Sequence, residues 1–414
     1  MKVLWIVNII FPFPAKQLGI REETFGGWLK GLSASLAKMD KIELSIVSLY
    51  KGVEMKEYND GRITYFLIPN NKDKNKYWKE LIDKNKPDLI HIHGTEYARK
   101  WKFIEKEKIN KIISIQGLIY MCSDVYYANI SIKDILKNIT FRDIIRQDNL
   151  IQQKKKFLKR GQEEKKLIKN ANAIIGRTKW DYANTKAINS NLKYYASNET
   201  LRESFYKEQW DINQVETHSI FCSQAGYPIK GVHYLLKAVS ILKYQYGYND
   251  IKLYIAGPNI VDNSNIEKKL KMNGYANYIR KLIHNLGIEE QVRWTGILNE
   301  KQMVSQILKT HVFVLPSAIE NSSNSLGEAM LLGMPCVATN TGGTMDILKH
   351  EKEGFLYPYT EPAMCAEYIS NFFEDDELAI RMGKTARKKA LERHDPEKNA
   401  ENIIEIYKKV IGEL

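Results

Sequence analysis

Two glutamates, Glu320 and Glu328, flank the polar run of the segment ENSSNSLGEAM, and the apolar AMLLGMP follows. A strand-like VFVLPS precedes it, so a helix is expected to open where this loop ends. Two chemistries fit. Ser325 and Glu328 have the spacing of a capping box, with Ser at the N-cap and Glu at N3, and Gly333 with Pro335 beyond it is a helix stop. On that reading Glu328 is only a cap. The other reading is an anion site. The free N–H groups of a helix N-terminus at the carboxyl edge of a sheet favour phosphate, and the small residues Ser322, Ser323, Asn324 and Ser325 let an anion approach the backbone. Carboxylates beside an anion repel it unless they face hydroxyl groups. Glu328, one turn in, suits ribose hydroxyls, and Glu320, on the loop, suits sugar hydroxyls. Both readings remain open at this point.

The elements that must hold these residues repeat along the chain. Strand-like runs are expected at 2–8, 42–49, 88–93, 111–116 and 172–176, and again at 218–224, 251–257, 291–296, 311–317 and 335–340. Helical runs lie between several of them; in 28–38, Leu29, Leu32 and Leu36 share one face. Strands apolar through their length and separated by helices imply parallel sheets covered on both faces. Two such series imply two doubly wound domains, with ligands at the carboxyl ends of strands. The expected division is an N-terminal domain at 1–212, which includes a basic helical region at 120–170, a C-terminal domain at 213–395, and a final helix at 396–414.

Composition narrows the class. The chain has 414 residues, 44% hydrophobic and 27% charged, with a net charge of +13, as for a globular protein of two or three domains. No run of about 18 apolar residues is present, so no transmembrane helix is expected. The opening MKVLWIVNII is interrupted by Asn8 and reads as a buried strand rather than a leader. Cys122, Cys222, Cys336 and Cys365 have no paired spacing, which fits reduced, buried thiols in a cytoplasmic protein. The run QQKKKFLKRGQEEKKLIKN is either a solvated face with Glu–Lys pairs or a surface that meets anionic lipid or an anionic acceptor. No D-x-D carboxylate pair and no zinc-like spacing occurs. No G-x-G-x-x-G follows the first strand, which disfavours a dinucleotide enzyme. Without aromatic–basic interleaving or a zinc finger, nucleic acid is not an expected partner.

Glu320 and Glu328 with seven residues between, followed by AMLLGMPCVATNTGG, resemble the signature of the retaining GT-B glycosyltransferases of glycosyltransferase family 4. FGG at 25–27, PDLIHIHG at 87–94, Lys230-Gly231, AGPN at 256–259 and VLPSAIE align in the same order. The resemblance implies two Rossmann-like domains facing a cleft, with a C-terminal helix returning to the N-terminal domain. It implies retaining sugar transfer from a nucleotide-diphosphate sugar to a carbohydrate or lipid-linked acceptor, with no metal, in polysaccharide or glycoconjugate synthesis. Glu320 is then placed at the transferred sugar and Lys230 at the departing diphosphate. His93 and Gln116 are positioning groups on the acceptor side. Glu328 is placed at the ribose; Asn324, Ser325 and Leu326 near the diphosphate and sugar; Gly26 and Gly27 at the phosphates or acceptor; Ile297 and Leu298 at the base; Gly257 belongs to the donor set.

His91 and His93 alternate along one strand, and only one of them is expected to face the ligand; a satisfied histidine at a strand end is the competing reading. The sequence departs from the family pattern at Gln116, where relatives often carry histidine, at Ala225, where they often carry arginine, and at NSSNS, which replaces a glycine-rich stretch. Arg177 or Arg202 is the expected substitute for the missing cation. The departures keep a catalytically silent binding or partner subunit as the alternative. The expected location is the cytoplasm, with peripheral attachment at the inner face of the membrane as an option.

Overall fold

Runs of Val, Ile and Leu that leave no polar face become strands covered on both sides. In the computed structural model, described over residues 1–21, 26–39, 41–96, 104 and 107–412, they build two compact units. Phe25 of the FGG motif and Leu414 of the final helix lie outside the described residues.

Unit 1 comprises Met1–Ile119, Arg160–Arg202 and His394–Leu414. Its strands are β1 (Lys2–Val7), β2 (Glu43–Tyr50), β3 (Lys56–Asn59), β4 (Ile63–Pro69), β5 (Leu89–His93), β6 (Asn110–Ser114), β7 (Ala173–Gly176) and β8 (Lys193–Ala196). They form one sheet in the order β3-β4-β2-β1-β5-β6-β7-β8, parallel except for β3 against β4. β1 sits at the centre, with Trp5 registered against Ile46 and His91. The chain first builds outward to β2 and β4, then returns to β5 on the other side. The strand order therefore reverses between β1 and β5, the position at whose carboxyl ends doubly wound sheets place ligands.

Unit 2 comprises Tyr120–Lys159 and Glu203–Arg393. Its strands are β9 (Glu216–Cys222), β10 (Lys252–Ile255), β11 (Val292–Trp294), β12 (Thr310–Leu315), β13 (Cys336–Thr339) and β14 (Phe355–Tyr357). The sheet is wholly parallel, in the order β11-β10-β9-β12-β13-β14. Its reversal lies between β9 and β12. Every residue of β12 is buried.

The units depart from the expected boundaries. Unit 2 resumes at Glu203, and the segment Tyr120–Lys159 belongs to unit 2 rather than to the N-terminal domain. Its contacts give the reason. Thr140 Oγ1 donates to the Met272 carbonyl, and the Gly274 N–H donates to Asp143. His233 Nε2 donates to the Ala128 carbonyl at 2.9 Å. No local sequence pattern announces such contacts, more than a hundred positions apart.

The final helix, Pro396–Ile411, is capped by Asp395, starts with Pro and ends at left-handed Gly412. It buries Ile403, Ile404, Ile406 and Tyr407 in the core of unit 1, with Leu29, Leu32 and Leu36 of the helix Gly27–Leu36 and Trp5 of β1. Trp5 donates its indole N–H to Tyr407 Oη at 2.9 Å. Tyr407 Oη therefore offers its own proton to His91 Nδ1, 2.6 Å away, and His91 Nε2–H reaches Ser114 Oγ at 2.6 Å. No described helix is long and apolar enough to cross a membrane. Cys222, Cys336 and Cys365 are buried, whereas Cys122 is half-buried; all four are free thiols.

Candidate functional site

In unit 2 the predicted residues converge on the carboxyl edge of the sheet, at the reversal between β9 and β12. After β9 a short turn at Pro228–Lys230 ends in left-handed Gly231. A β-carbon at Gly231 would collide with the Pro316 carbonyl oxygen, so glycine is needed for this turn to pack against the loop after β12. The Ala318 N–H then donates to the Ile229 carbonyl at 2.9 Å. On its other side the β12 loop is tied by Thr339 and Thr341, whose hydroxyls both donate to the Ser317 carbonyl, and by the Gly343 N–H, which donates to the Glu320 carbonyl at 3.0 Å.

This scaffold brings Lys230 and Glu320 together. Lys230 Nζ lies 2.6 Å from Glu320 Oε1, and Ser317 Oγ donates to the same oxygen at 2.8 Å. The two side chains are 18% and 14% exposed, so little water screens the pair. Burial disfavours the ammonium, but the Glu320 carboxylate outweighs it and holds the Lys230 pKa above its ordinary value. The Tyr227 ring lies 5.9 Å from the same ammonium.

The helix after this loop runs from Asn324 to Leu332, and its cap is Ser323, whose Oγ accepts from the Leu326 N–H. The expected capping box is thereby overturned. Ser325 is the second residue of the helix rather than its cap, and Leu326, not Glu328, occupies N3. Glu328 lies deeper in the helix, 6% exposed, beyond the N3 position of a capping box. Ser325 Oγ is bridged to Ser223 Oγ, in the loop after β9, at 3.0 Å, and to Ser323 Oγ at 3.1 Å. Asn324 Oδ1 is buried with no hydrogen-bond partner among the described residues, a costly state for an amide oxygen.

Beyond β10 and β11, Gly257 donates its N–H to the Gly296 carbonyl at 2.9 Å, and both glycines are left-handed. That bridge holds the Gly257 loop beside Ile297, which is exposed, and Leu298, which is half-buried. The loops after β11, β10, β9 and β12 thus form a row. Three strand spacings of about 4.8 Å give it a span of about 14 Å. Such a row suits an extended ligand with chemically distinct parts.

In unit 1, His93 ends β5, and Gln116 and Arg177 follow the neighbouring strands β6 and β7. The expectation that His91 and His93 face opposite ways is wrong. Residues two apart on a strand share a face, and their ring centroids lie 3.7 Å apart. Their roles differ instead by partners. His91 is fully satisfied, and burial lowers its pKa to about 3. His93 is 4% exposed with no hydrogen bond to either ring nitrogen among the described residues. Burial, and then His91, hold its pKa well below the usual value. Both rings line a cavity of about 20 Å³ with Trp28, Gln116, Arg177 and Glu199, too small for a sugar ring.

Arg177 does not present a spare cation. Its Nη1 pairs with Glu199 at 2.6 Å, with side chains 4% and 9% exposed, and its Nη2 donates to the Gln116 carbonyl at 2.6 Å. The Arg202 side chain packs over Gly27, which with left-handed Gly26 opens the helix Gly27–Leu36.

Several neighbours escaped the sequence reading. Ser317 and the TNTGG turn support Glu320, and Ser223 supports Ser325; the apolar-to-polar change after each strand marks where they stand. In unit 1, Glu96 folds back beside Gly94, Arg160 donates to its carbonyl, and Thr95 donates to buried Glu164. Burial, with Glu164 adding to it, pushes the Glu96 pKa up to about 7. Among the described residues no three His, Cys, Asp or Glu side chains gather as a metal site.

Residues 203–389 match the family described as "Glycosyl transferases group 1". The match takes in a little under half of the chain. It carries the whole Lys230–Glu320–Ser325 arrangement. The chain is similar to the N-acetyl-alpha-D-glucosaminyl L-malate synthase of Bacillus anthracis, 29% identical over 133 residues, 32% of this chain and 34% of that protein. The alignment thus spans about a third of the relative's length. Over 100% of both chains it superposes on the sucrose-phosphate synthase of Thermosynechococcus elongatus, with a TM-score of 0.72 at 14% identity. HepE of Anabaena, solved in complex with UDP-glucose, gives a TM-score of 0.68 at 15% identity over 99% of this chain and 100% of that one. These superpositions give the chain the GT-B fold.

Proposed function

We propose that the protein is a retaining, metal-independent glycosyltransferase. It moves a sugar from a nucleotide-diphosphate donor to a carbohydrate or lipid-linked acceptor in polysaccharide or glycoconjugate synthesis. The Lys230–Glu320 pair at the sheet reversal carries this reading. An ammonium and a carboxylate that share one partly buried position can each exchange the other for a piece of the same ligand. Lys230 takes the diphosphate, and Glu320 takes a hydroxyl of the transferred sugar. The first-turn amides at Asn324 and Ser325 add to the positive side. Glu328 receives the ribose, and the row ends at Ile297 and Leu298 with the base. HepE, which shares the fold, holds UDP-glucose.

In this mechanism the bond from the anomeric carbon to the diphosphate oxygen breaks as Lys230 stabilises the developing negative charge. The acceptor hydroxyl attacks from the same face, and its proton passes to the departing phosphate oxygen. That route needs no protein base, so Gln116 and the acid-shifted His93 serve as positioning groups near the acceptor. Arg177, expected to replace the cation missing at Ala225, is paired with buried Glu199. Lys230 and the helix amides carry the neutralisation.

The test is a thermal-shift panel of UDP-, GDP- and ADP-sugars, followed by NMR of the anomeric proton released on slow donor hydrolysis. One nucleotide class is expected to raise the melting temperature, and the first product is expected to keep the donor's configuration. Lys230→Met is expected to lower turnover about 100- to 1000-fold. An inverted product, or no response to any nucleotide sugar, overturns the reading.

A further inference from the structure

Three short helices of unit 2 carry large apolar side chains into solvent. Ile132–Lys137 exposes Ile132 and Leu136, 51% and 53%. Phe141–Arg146 exposes Phe141, Ile144 and Ile145, each at 65% or more. Ile266–Lys271 exposes Ile266 and Leu270, 78% and 54%. On each helix the exposed residues are three or four apart and so share one face. Of seventeen large apolar side chains exposed among the described residues, seven fall on these three helices. Chance scatter of single surface residues does not concentrate in this way.

The helices are fastened to one another. Thr140 Oγ1 donates to the Met272 carbonyl at 2.9 Å, joining the start of the second helix to the end of the third. Asp143, 1% exposed, accepts from the Gly274 N–H at 2.8 Å. Asn277 Nδ2 donates to Asn138 Oδ1 at 3.2 Å, tying in the end of the first. The exposed side chains therefore stand on a firm platform.

The charges around them are mostly positive, although Asp148 pairs with Arg142 and Lys156, and Asp262 pairs with Lys268. Lys133, Lys137, Arg142 and Arg146 lie on the first two helices against only Asp134 and buried Asp143. Lys268, Lys269 and Lys271 lie on the third, where the one acid, Glu267, pairs with Lys271. The following helix, Leu150–Lys169, adds Lys154, Lys155, Lys156 and Lys159. The buried centres of protein–protein interfaces are depleted in lysine. Isoleucine and phenylalanine interleaved with lysine on short surface helices instead match the boundary of a bilayer. There the apolar tips enter the acyl region and the ammonium groups meet phosphates.

We propose that this face of unit 2 is a docking surface for a bilayer rich in anionic phospholipid. The proposal does not depend on the reaction assigned to the Lys230–Glu320 site. The test is flotation of the full chain with phosphatidylcholine vesicles, with and without phosphatidylglycerol. The chain is expected to float only with the anionic vesicles and to be released by added salt. Ile144→Ser combined with Ile145→Ser is expected to lower the partition coefficient at least about tenfold, as expected for returning a large apolar side chain to water, with the melting temperature unchanged. Should that variant melt early, Ile266→Ser with Leu270→Ser on the neighbouring helix provides the same comparison. Three results overturn the proposal. They are no flotation with anionic vesicles, equal flotation of folded serine variants, or a sedimenting dimer that the serine variants convert to monomer. The last would assign the face to a second copy of the chain.

Discussion

Glu328 shows what single residues reveal and conceal. Its type and distance from Glu320 marked the site, but the same spacing also fitted a capping box, and only the backbone separates the two. With Ser323 as the cap, Glu328 has no capping role to lose. Glu328→Gln is therefore expected to leave the helix cap intact and to weaken nucleotide-sugar binding, as read by calorimetry. A melting temperature that drops while affinity holds would return the residue to a structural role. Arg177 is the opposite case. Its charge looked available for a diphosphate, because a sequence does not show that Glu199 folds against it. Removing one partner of so buried a pair costs about 3–5 kcal/mol. Arg177→Ala is thus expected to lower the denaturant midpoint strongly, and any fully folded fraction should keep the parent's donor affinity.

At the scale of elements, the strands that carry the site were legible because both their faces are buried. β12 and β5 are apolar from end to end apart from the histidines and Thr310. β3, with the polar sequence KEYN at the sheet edge, gave no such signal, nor did β8, whose KYYA is only partly covered. Cap placement was off by two residues because NSSNS offers several serines and asparagines with equal capping ability. That ambiguity leads to a paired prediction. Ser323→Ala removes the cap and is expected to cost about 1 kcal/mol of stability. Ser325→Ala, at the bridge to Ser223, is expected to cost less stability and more donor affinity. Urea unfolding and calorimetry on the two variants side by side would check the division of labour. A Gly342→Ala change belongs with this set. Its φ is +56°, and a β-carbon there would strike the Glu320 carbonyl oxygen. It is expected to disturb the Glu320 loop and lower turnover.

Across the whole molecule, buried neutral histidines set the acid limit. Burial takes the pKa of His91 to about 3 and those of His233 and His311 to about 4, with His93 also well below its usual value. Unfolded histidines titrate near 6.5, so below that pH the unfolded chain binds protons that the folded chain refuses. Stability is fully present above about 6.5 and is lost as pH falls toward 4, by up to about 1.4 kcal/mol per pH unit for each histidine. Glu96, raised to about 7, works the other way, because its folded form holds a proton up to that pH. With four groups against one, the melting temperature is expected to fall steadily from pH 6.5 to 4.5, as a calorimetric pH series would show. The two-sheet plan was legible from alternating apolar runs, but the membership of Tyr120–Lys159 was not, because it rests on contacts between distant positions. The interleaving of segments also bears on synthesis. The core of unit 1 is closed by Tyr407, in a helix translated after all of unit 2. While the ribosome works, the later half can reach its final form first. The half begun earliest keeps its central tryptophan uncovered until that helix emerges.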